Sequence, residues 1–163
     1  MYKQNNEFTN VDYILYELMH TTKSTTKLME RIAKMTLNVD LIKQSQYTVN
    51  EKFFLKRQTL LFFSSVYQPI IYSESLINFC NISHDQQRLL SSGSLTIGRV
   101  FSNQEIDKKN ITIETIQSKA VMGKLACKSQ EIYCKEYEMF VDKINIGIIK
   151  EYFSKETIQR AIC

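Results

Sequence analysis

The chain has 163 residues, of which 44% are hydrophobic and 23% are charged, proportions that fit one globular domain and exclude a disordered chain, a collagen-like repeat and a coiled-coil rod. Apolar runs such as residues 60–63 are far shorter than the roughly 18–20 residues of a spanning helix, and the first residues lack the apolar core of a signal peptide, so we expect neither a membrane span nor secretion. The formal net charge is +4, but the basic residues are scattered, so we do not expect nucleic-acid binding, which needs clustered cations.

The first half of the chain predicts two short helices followed by strands. Apolar residues recur at helical spacing over residues 11–19, and a second helix is predicted after the capping residues 24–26. Apolar and polar residues alternate over residues 35–41, which is typical of a half-buried strand. Residues 53–63 and 69–77 predict two further strands, and the short link between them predicts an antiparallel hairpin.

The second half predicts more strands and two helical segments. Residues 84–90 predict a helical turn, residues 111–116 and 132–141 predict strands, and residues 149–162 predict a helix. Strands joined by hairpins, with helices at both ends, indicate an α+β fold with an antiparallel sheet of about six strands and flanking helices.

No linker or internal repeat divides the chain, so a single domain is predicted. We expect an N-terminal tail over residues 1–10, the folded domain over residues 11–142 and a helical extension over residues 143–163. The four cysteines show no C-x-x-C spacing. The sequence therefore predicts free thiols in a reducing compartment and no metal site.

Arg57 interrupts the apolar face of the strand predicted at residues 53–63. Alternation places it on one face with Leu55, Leu61 and Phe63, where an unpaired guanidinium is unfavourable. Its planar fork suits a carboxylate held in a dry site. An internal salt bridge, or an edge strand from which Arg57 reaches solvent, explains the pattern equally well.

Glu136 and Glu138 share one face of the strand predicted at residues 132–141. A carboxylate inside a pocket there is a candidate acid, base or hydrogen-bond acceptor, although a solvated strand face is the commoner outcome. Alternation does not choose between the two glutamates. Gly98 permits a close backbone approach or a turn.

Several short segments occur in the order and spacing of a known enzyme family. They are Asp12-Tyr13-Ile14-Leu15, Ser24-Thr25-Thr26-Lys27, Leu55-Lys56-Arg57-Gln58-Thr59-Leu60-Leu61, Gln68-Pro69-Ile70-Ile71, Thr96-Ile97-Gly98-Arg99 and Tyr137-Glu138-Met139-Phe140-Val141. Together they resemble the chorismate lyase (chorismate pyruvate-lyase) family, especially its short branch from cyanobacteria and red-algal plastids. The last segment is similar to the Thr-Glu-Leu-Phe-Leu strand near that family's C-terminus.

The resemblance implies roles for five residues. It implies that Arg57 binds the carboxylate of the aromatic product and that Glu138 lies near the 4-hydroxyl of the ring. It places Ile97 and Gly98 at the wall of the ring site. Thr25 falls where bacterial members carry methionine.

The resemblance also implies a second cation, for the pyruvyl carboxylate of the substrate. We expect this cation from one of three residues, and the sequence does not choose among them. The candidates are Lys124, Lys128 and Arg99.

The activity that the resemblance implies is conversion of chorismate, an anionic cyclohexadiene, to 4-hydroxybenzoate and pyruvate, with no cofactor or metal and in a monomer. A non-catalytic module that binds a small aromatic acid is the alternative, because the same fold serves as a ligand-binding module in bacterial regulators. The chain has only four glycines and one proline and is rich in Ile, Lys and Asn, as in AT-rich genomes. With the family branch, this predicts a plastid protein whose product feeds quinone biosynthesis.

Overall fold

One antiparallel sheet runs through the computed structural model, which describes residues 9–162. Its strands are β1 (Leu37–Val49), β2 (Lys52–Phe63), β3 (Ile71–Asn78), β4 (Ile106–Ile116), β5 (Ile132–Val141) and β6 (Ile144–Phe153). Their order across the sheet is β1-β2-β3-β6-β5-β4, and every neighbouring pair is antiparallel. The α+β fold with a sheet of about six antiparallel strands is therefore confirmed.

Short helices begin at polar caps and pack on this sheet. They are α1 (Asn10–His20), α2 (Thr25–Ala33), α3 (His84–Ser91), α4 (Ile97–Val100), α5 (Lys119–Leu125) and α6 (Lys155–Gln159), with a 3₁₀ turn at Phe79–Asn81. Thr9, Ser24 and Ser83 cap α1, α2 and α3, because each side chain accepts a hydrogen bond from the third helical N–H. Within residues 9–162, no helix is long and apolar enough to cross a membrane.

Five of the helices cover one face of the sheet, which we call the inner face. Near one end, α1, α2 and α6 pack on the strands in an apolar cluster that includes Leu18, Leu61 and Phe153. Near the other end, α3 and α4 pack in a second cluster that includes Ile77 and Leu90. Burial of each such side chain contributes roughly 1.5–3 kcal/mol to the stability of the fold. These clusters therefore fix the helices on the two ends of the inner face.

The opposite face of the sheet, the outer face, is covered in part by α5. Leu125 of α5 packs there against Tyr72, Ile132 and Tyr152. Elsewhere the outer face carries charged side chains, such as Glu136, which pairs with Lys150 at 2.7 Å. Helices therefore close the inner face more completely than the outer face.

The C-terminal segment corrects one prediction. Residues 149–153, predicted to be helical, form the end of β6, and the helix of this region is confined to Lys155–Gln159. Strand β6 lies between β3 and β5, so residues 143–163 are not a helical extension of a finished domain. Apolar residues in this stretch satisfy both a helical and a strand period, and strand pairing decided between them. The expected tail, residues 1–10, lies almost wholly outside the described residues.

Lys135 joins the inner face of β5 to the end of α1. Its side chain is fully buried (0% exposed), and its Nζ donates to the carbonyl oxygens of Leu18 and Thr21, both at 2.7 Å. Burial lowers the pKa of Lys135 to about 7, Lys108 adds to this lowering, and Glu151 opposes it. The folded chain therefore releases this proton at a lower pH than the unfolded chain does.

Gly147 of β6 provides a test of the strand packing. A Cβ at Gly147 would lie 2.0 Å from the backbone oxygen of Leu76, and the φ angle of Gly147 is +156°. We expect Gly147→Ala to lower the free energy of unfolding by about 1–3 kcal/mol, as overpacking does, measured by urea denaturation. In Gly123→Ala, the control, the added Cβ meets nothing within 4 Å, and the helix gains roughly 0.5–1 kcal/mol. Equal midpoints for the two variants would contradict the prediction.

A second test uses the pKa of Lys135. Above about pH 7 the unfolded chain holds a proton that the folded chain has released, so Lys135 makes the free energy of unfolding rise with pH. Below about pH 7 both states hold the proton and this dependence disappears. Urea denaturation at several pH values should show that, above about pH 7, the free energy of unfolding of wild type rises relative to that of Lys135→Met. The rise is at most about 1.4 kcal/mol per pH unit. If the difference in the free energy of unfolding between wild type and Lys135→Met were constant from about pH 6 to 9, the lowered pKa of Lys135 would be refuted.

Candidate functional site

A cavity lies on the inner face, between the two apolar clusters. It encloses about 490 Å³ of space free of protein atoms, part of which is continuous with solvent. Strands β1 to β6 form its floor, and the start of α2 and of α4 form its wall. Its lining residues are Ser24, Thr25, Thr26, Val39, Arg57, Thr59, Leu61, Ser73, Thr96, Ile97, Gly98, Ile106, Lys108, Tyr137, Met139, Ile149 and Glu151.

Arg57 extends from β2 into this cavity. It is 1% exposed, and its Nη2 donates to the carbonyl oxygen of Leu95 at 3.2 Å. Within residues 9–162 its Nε has no hydrogen-bond partner, and no acidic side chain there forms a salt bridge with it. Burial lowers the pKa of Arg57 to about 10, so the guanidinium is still charged at neutral pH. A buried cation without an internal counterion is suited to bind an anion.

Glu151 extends from β6 and is fixed by two hydroxyl groups. It is 5% exposed, and it accepts hydrogen bonds from the Thr25 and Tyr137 hydroxyls, both at 3.0 Å. Burial and the neighbouring Glu151 carboxylate raise the pKa of Tyr137, so this phenol keeps its proton and is the donor of the hydrogen bond to Glu151. Each carboxylate oxygen has two acceptor positions, so Glu151 can accept a further hydrogen bond from a ligand.

Lys108 of β4 completes this polar group. Its Nζ donates to the Thr25 hydroxyl at 2.6 Å, lies 3.7 Å from Oε2 of Glu151 and lies 4.3 Å from the centre of the Tyr137 ring. Burial lowers the pKa of Lys108, and the charge of Glu151 opposes this effect. Two of the three charged residues that line the cavity, Arg57 and Lys108, are basic. The cavity therefore favours an anionic ligand.

The wall of the cavity depends on close contact between α2 and α4. The Thr26 hydroxyl donates to the Thr96 hydroxyl at 3.2 Å. A Cβ added to Gly98 would lie 2.6 Å from Oγ1 of Thr26 and 2.7 Å from Oγ of Ser24. Gly98 is therefore a position of close approach, one of the two possibilities that its sequence context allowed.

The structure brings four of the five predicted site residues to the cavity. Arg57, Thr25, Ile97 and Gly98 all line it. For Arg57, the structure excludes both an internal salt bridge within residues 9–162 and an edge strand, since β2 lies between β1 and β3. Burial without a counterion is what the ligand-binding interpretation requires.

Glu138 does not reach the cavity, which corrects the prediction that paired it with Arg57. Its neighbours Tyr137 and Met139 line the cavity, and successive strand residues point to opposite faces. Glu138 therefore lies on the outer face, where it accepts a hydrogen bond from Asn110. The acidic residue in the cavity is Glu151.

A pattern in the sequence could have identified Glu151. The order Glu, an apolar or aromatic residue, Phe occurs at Glu138–Phe140 and again at Glu151–Phe153, so the family's Thr-Glu-Leu-Phe-Leu strand has two possible matches. Because a helix is predicted over residues 149–162, the second match to a strand was overlooked. Read as a strand, that stretch places a carboxylate between two apolar residues on one face, which is the same anomaly that identified Arg57.

None of the three lysines and arginines predicted as a second cation lines the cavity. Lys124 donates to the Tyr72 hydroxyl on the outer face at 2.8 Å. Arg99 pairs with Glu30, and Lys128 is exposed. Lys108, which no sequence pattern distinguished, is the second cation in the cavity. Within the described residues, no group of three or more His, Cys, Asp or Glu side chains is arranged to hold a metal ion.

Solved structures share this fold. PhnF from Mycobacterium smegmatis has a TM-score of 0.65 at 10% identity, with 85% of this chain and 66% of PhnF covered. The effector domain of PhnF alone gives a TM-score of 0.64 at 11% identity, with 82% and 90% covered. The ligand-binding domain of a Bordetella bronchiseptica protein assigned to the GntR family of transcriptional regulators gives 0.57 at 5% identity, with 72% and 85% covered. At these identities the likeness is one of fold alone.

Comparison with curated protein sequences gives no match. A family model, by contrast, matches residues 15–161, and its description is chorismate pyruvate-lyase, Rv2949c-like. The matched segment contains every residue that lines the cavity, and it includes β6, which lies in the stretch predicted to be a helical extension. The chain therefore belongs to the Rv2949c-like chorismate pyruvate-lyase family.

Proposed function

We propose that this protein is a chorismate pyruvate-lyase that converts chorismate to 4-hydroxybenzoate and pyruvate. The observation that carries the proposal is the Arg57 guanidinium, which is buried in the cavity without an acidic partner within residues 9–162. The family to which the chain belongs supports the same activity. Chorismate is a dianion, and the charged side chains of the cavity are mainly basic.

Arg57 binds the ring carboxylate in this proposal. The Nε and Nη groups of arginine match the two oxygens of a carboxylate, and no group in the described part of the chain accepts a hydrogen bond from the Nε of Arg57. Ile97, at the start of α4, lines the cavity and packs against the ring. The ring carboxylate thereby fixes one end of the substrate.

Glu151 binds the opposite end of the ring by accepting a hydrogen bond from the 4-hydroxyl. The hydroxyls of Thr25 and Tyr137 hold its carboxylate in place, so it needs no rearrangement when the substrate binds. A fixed acceptor at this position holds the hydroxyl away from solvent and orients the carbon–hydrogen bond beside it.

The reaction needs no external reactant. The bond between the ring and the ether oxygen breaks, the hydrogen on the neighbouring hydroxyl-bearing carbon is lost, and the ring becomes aromatic. That hydrogen is transferred to the methylene carbon of the departing enolpyruvyl group, while the ether oxygen becomes the keto oxygen of pyruvate. The protein supplies a cavity that holds the substrate in the reactive conformation and excludes water.

A binding module without turnover is the second candidate. The fold of the Bordetella bronchiseptica ligand-binding domain favours it, because the same architecture serves there in a protein assigned to a family of transcriptional regulators. We also propose that the product enters quinone biosynthesis in a plastid, which rests on the composition and the family branch described above.

The first experiment is to incubate the purified protein with chorismate and measure pyruvate and 4-hydroxybenzoate together. Equal amounts of both products are expected. Binding of 4-hydroxybenzoate without release of pyruvate would instead support the binding module. Neither binding nor turnover would mean that the chain shares only the fold.

Arg57→Met tests the proposed anchor. Removing one partner of a buried ion pair typically weakens binding by 2–5 kcal/mol, so kcat/KM is expected to fall by at least about 30-fold, mainly through KM. Because no acidic side chain of residues 9–162 pairs with this charge, the melting temperature is not expected to fall. Arg88→Met is the control, since Arg88 is exposed on α3. A large loss of stability in Arg57→Met with unchanged kinetics would show a structural role instead.

Glu151→Gln and Glu138→Gln form a matched pair. We expect roughly 10- to 100-fold lower kcat/KM for Glu151→Gln, because a charged hydrogen-bond acceptor is lost from the cavity. Glu138 lies on the outer face, so Glu138→Gln is expected to keep wild-type kinetics. Steady-state kinetics that show the reverse order would refute the placement of Glu151 at the reacting end of the ring.

A further inference from the structure

We propose that Lys108 binds the second carboxylate of the substrate, the one on the enolpyruvyl group, and thereby selects dicarboxylates over monocarboxylates. This inference rests on the proposed function, because it concerns the orientation of chorismate in the same cavity. It gives Lys108 a role that no sequence pattern indicated.

Lys108 has unused hydrogen-bonding capacity inside the cavity. Its side chain is 1% exposed, and within residues 9–162 its Nζ donates one hydrogen bond, to the Thr25 hydroxyl at 2.6 Å. An ammonium group has three N–H donors. The distance of 3.7 Å to Glu151 exceeds the roughly 2.7–2.9 Å of a charge-assisted hydrogen bond. A ligand carboxylate therefore finds free donors on Lys108.

The strand order places Lys108 at the correct end of the cavity. Arg57 is on β2, Glu151 is on β6, and Lys108 is on β4, on the far side of β6 from Arg57. In chorismate the 4-hydroxyl is opposite the ring carboxylate, and the enolpyruvyl ether is attached to the carbon beside the hydroxyl. When Arg57 holds the ring carboxylate and Glu151 holds the hydroxyl, the enolpyruvyl group extends toward Lys108.

The arrangement also separates the two products. Before the reaction, both carboxylates belong to one molecule, and Arg57 and Lys108 hold it at two points. Once the carbon–oxygen bond breaks, 4-hydroxybenzoate keeps the contacts with Arg57 and Glu151 but loses Lys108, and pyruvate keeps only the contact with Lys108. Each product therefore binds less tightly than the substrate, which favours release.

The alternative role for Lys108 is structural, as the counterion of Glu151. In that role Lys108 affects Glu151 alone, so its removal changes the affinity for every ligand that contacts Glu151 by a similar factor. As the anchor of the second carboxylate, Lys108 affects only ligands that carry this group. The ratio of affinities for a dicarboxylate and a monocarboxylate separates the two roles.

The test compares two stable ligands by isothermal titration calorimetry. One is 4-hydroxybenzoate, and the other is 3-[(1-carboxyvinyl)oxy]-4-hydroxybenzoate, which adds the enolpyruvyl carboxylate and is already aromatic, so it does not react. Lys108→Met is expected to lower the affinity for the dicarboxylate by about 10- to 100-fold and to change the affinity for 4-hydroxybenzoate by less than about threefold. Lys108→Arg is expected to restore at least part of the dicarboxylate affinity.

Two further variants keep the test decisive. Lys109→Met, which changes the exposed neighbour of Lys108, is expected to match wild type. Lys108→Gln keeps a donor for Thr25 without the charge, and it is used if Lys108→Met does not fold. The inference would be overturned if Lys108→Met lost affinity equally for both ligands or for neither. It would also be overturned if the wild-type protein bound neither ligand. Absence of pyruvate release from chorismate by wild type, with the affinity ratio as expected, would refute only the proposed lyase activity.

Discussion

The buried guanidinium of Arg57 is the constraint around which the cavity is arranged. An ionised group in a protein interior is unfavourable unless an opposite charge or several hydrogen bonds compensate it. Arg57 donates to one backbone carbonyl, and within residues 9–162 no carboxylate pairs with it. The compensation within this part of the folded chain is therefore incomplete. An anion that enters the cavity completes it, because the anion accepts the hydrogen bonds that Arg57 does not make in that part of the chain.

The remaining polar groups of the cavity come from elements that also hold the fold together. Thr25 is the first residue of α2, and it joins Lys108 of β4 to Glu151 of β6. The backbone N–H of Lys108 donates to the carbonyl oxygen of Thr22 at 2.9 Å, and Lys135 bonds the carbonyls at the end of α1. The connection between α1 and α2 is thus fixed on both sides, so the Thr25 hydroxyl is held in position before a ligand binds.

The fold itself does not determine whether the cavity catalyses a reaction. The effector domain of PhnF shares this fold, at an identity too low to transfer a function. The chemistry of the site resides in the side chains that line it. Here these provide a cation on β2, a fixed carboxylate on β6 and a second cation on β4.

The sequence by itself determined several of the local elements and the anomaly at Arg57. The helix cap at Ser24 and the alternation over residues 53–63 depend on neighbouring residues, so they are visible in the sequence. Tertiary structure decided the role of residues 149–153, because a stretch with both helical and strand periodicity becomes a strand only where β3 and β5 are available to pair with it. For the same reason it decided that Glu151, and not Glu138, lines the cavity together with Arg57. The position of Lys108 depends on strands distant in sequence, and no local pattern records which strands become neighbours.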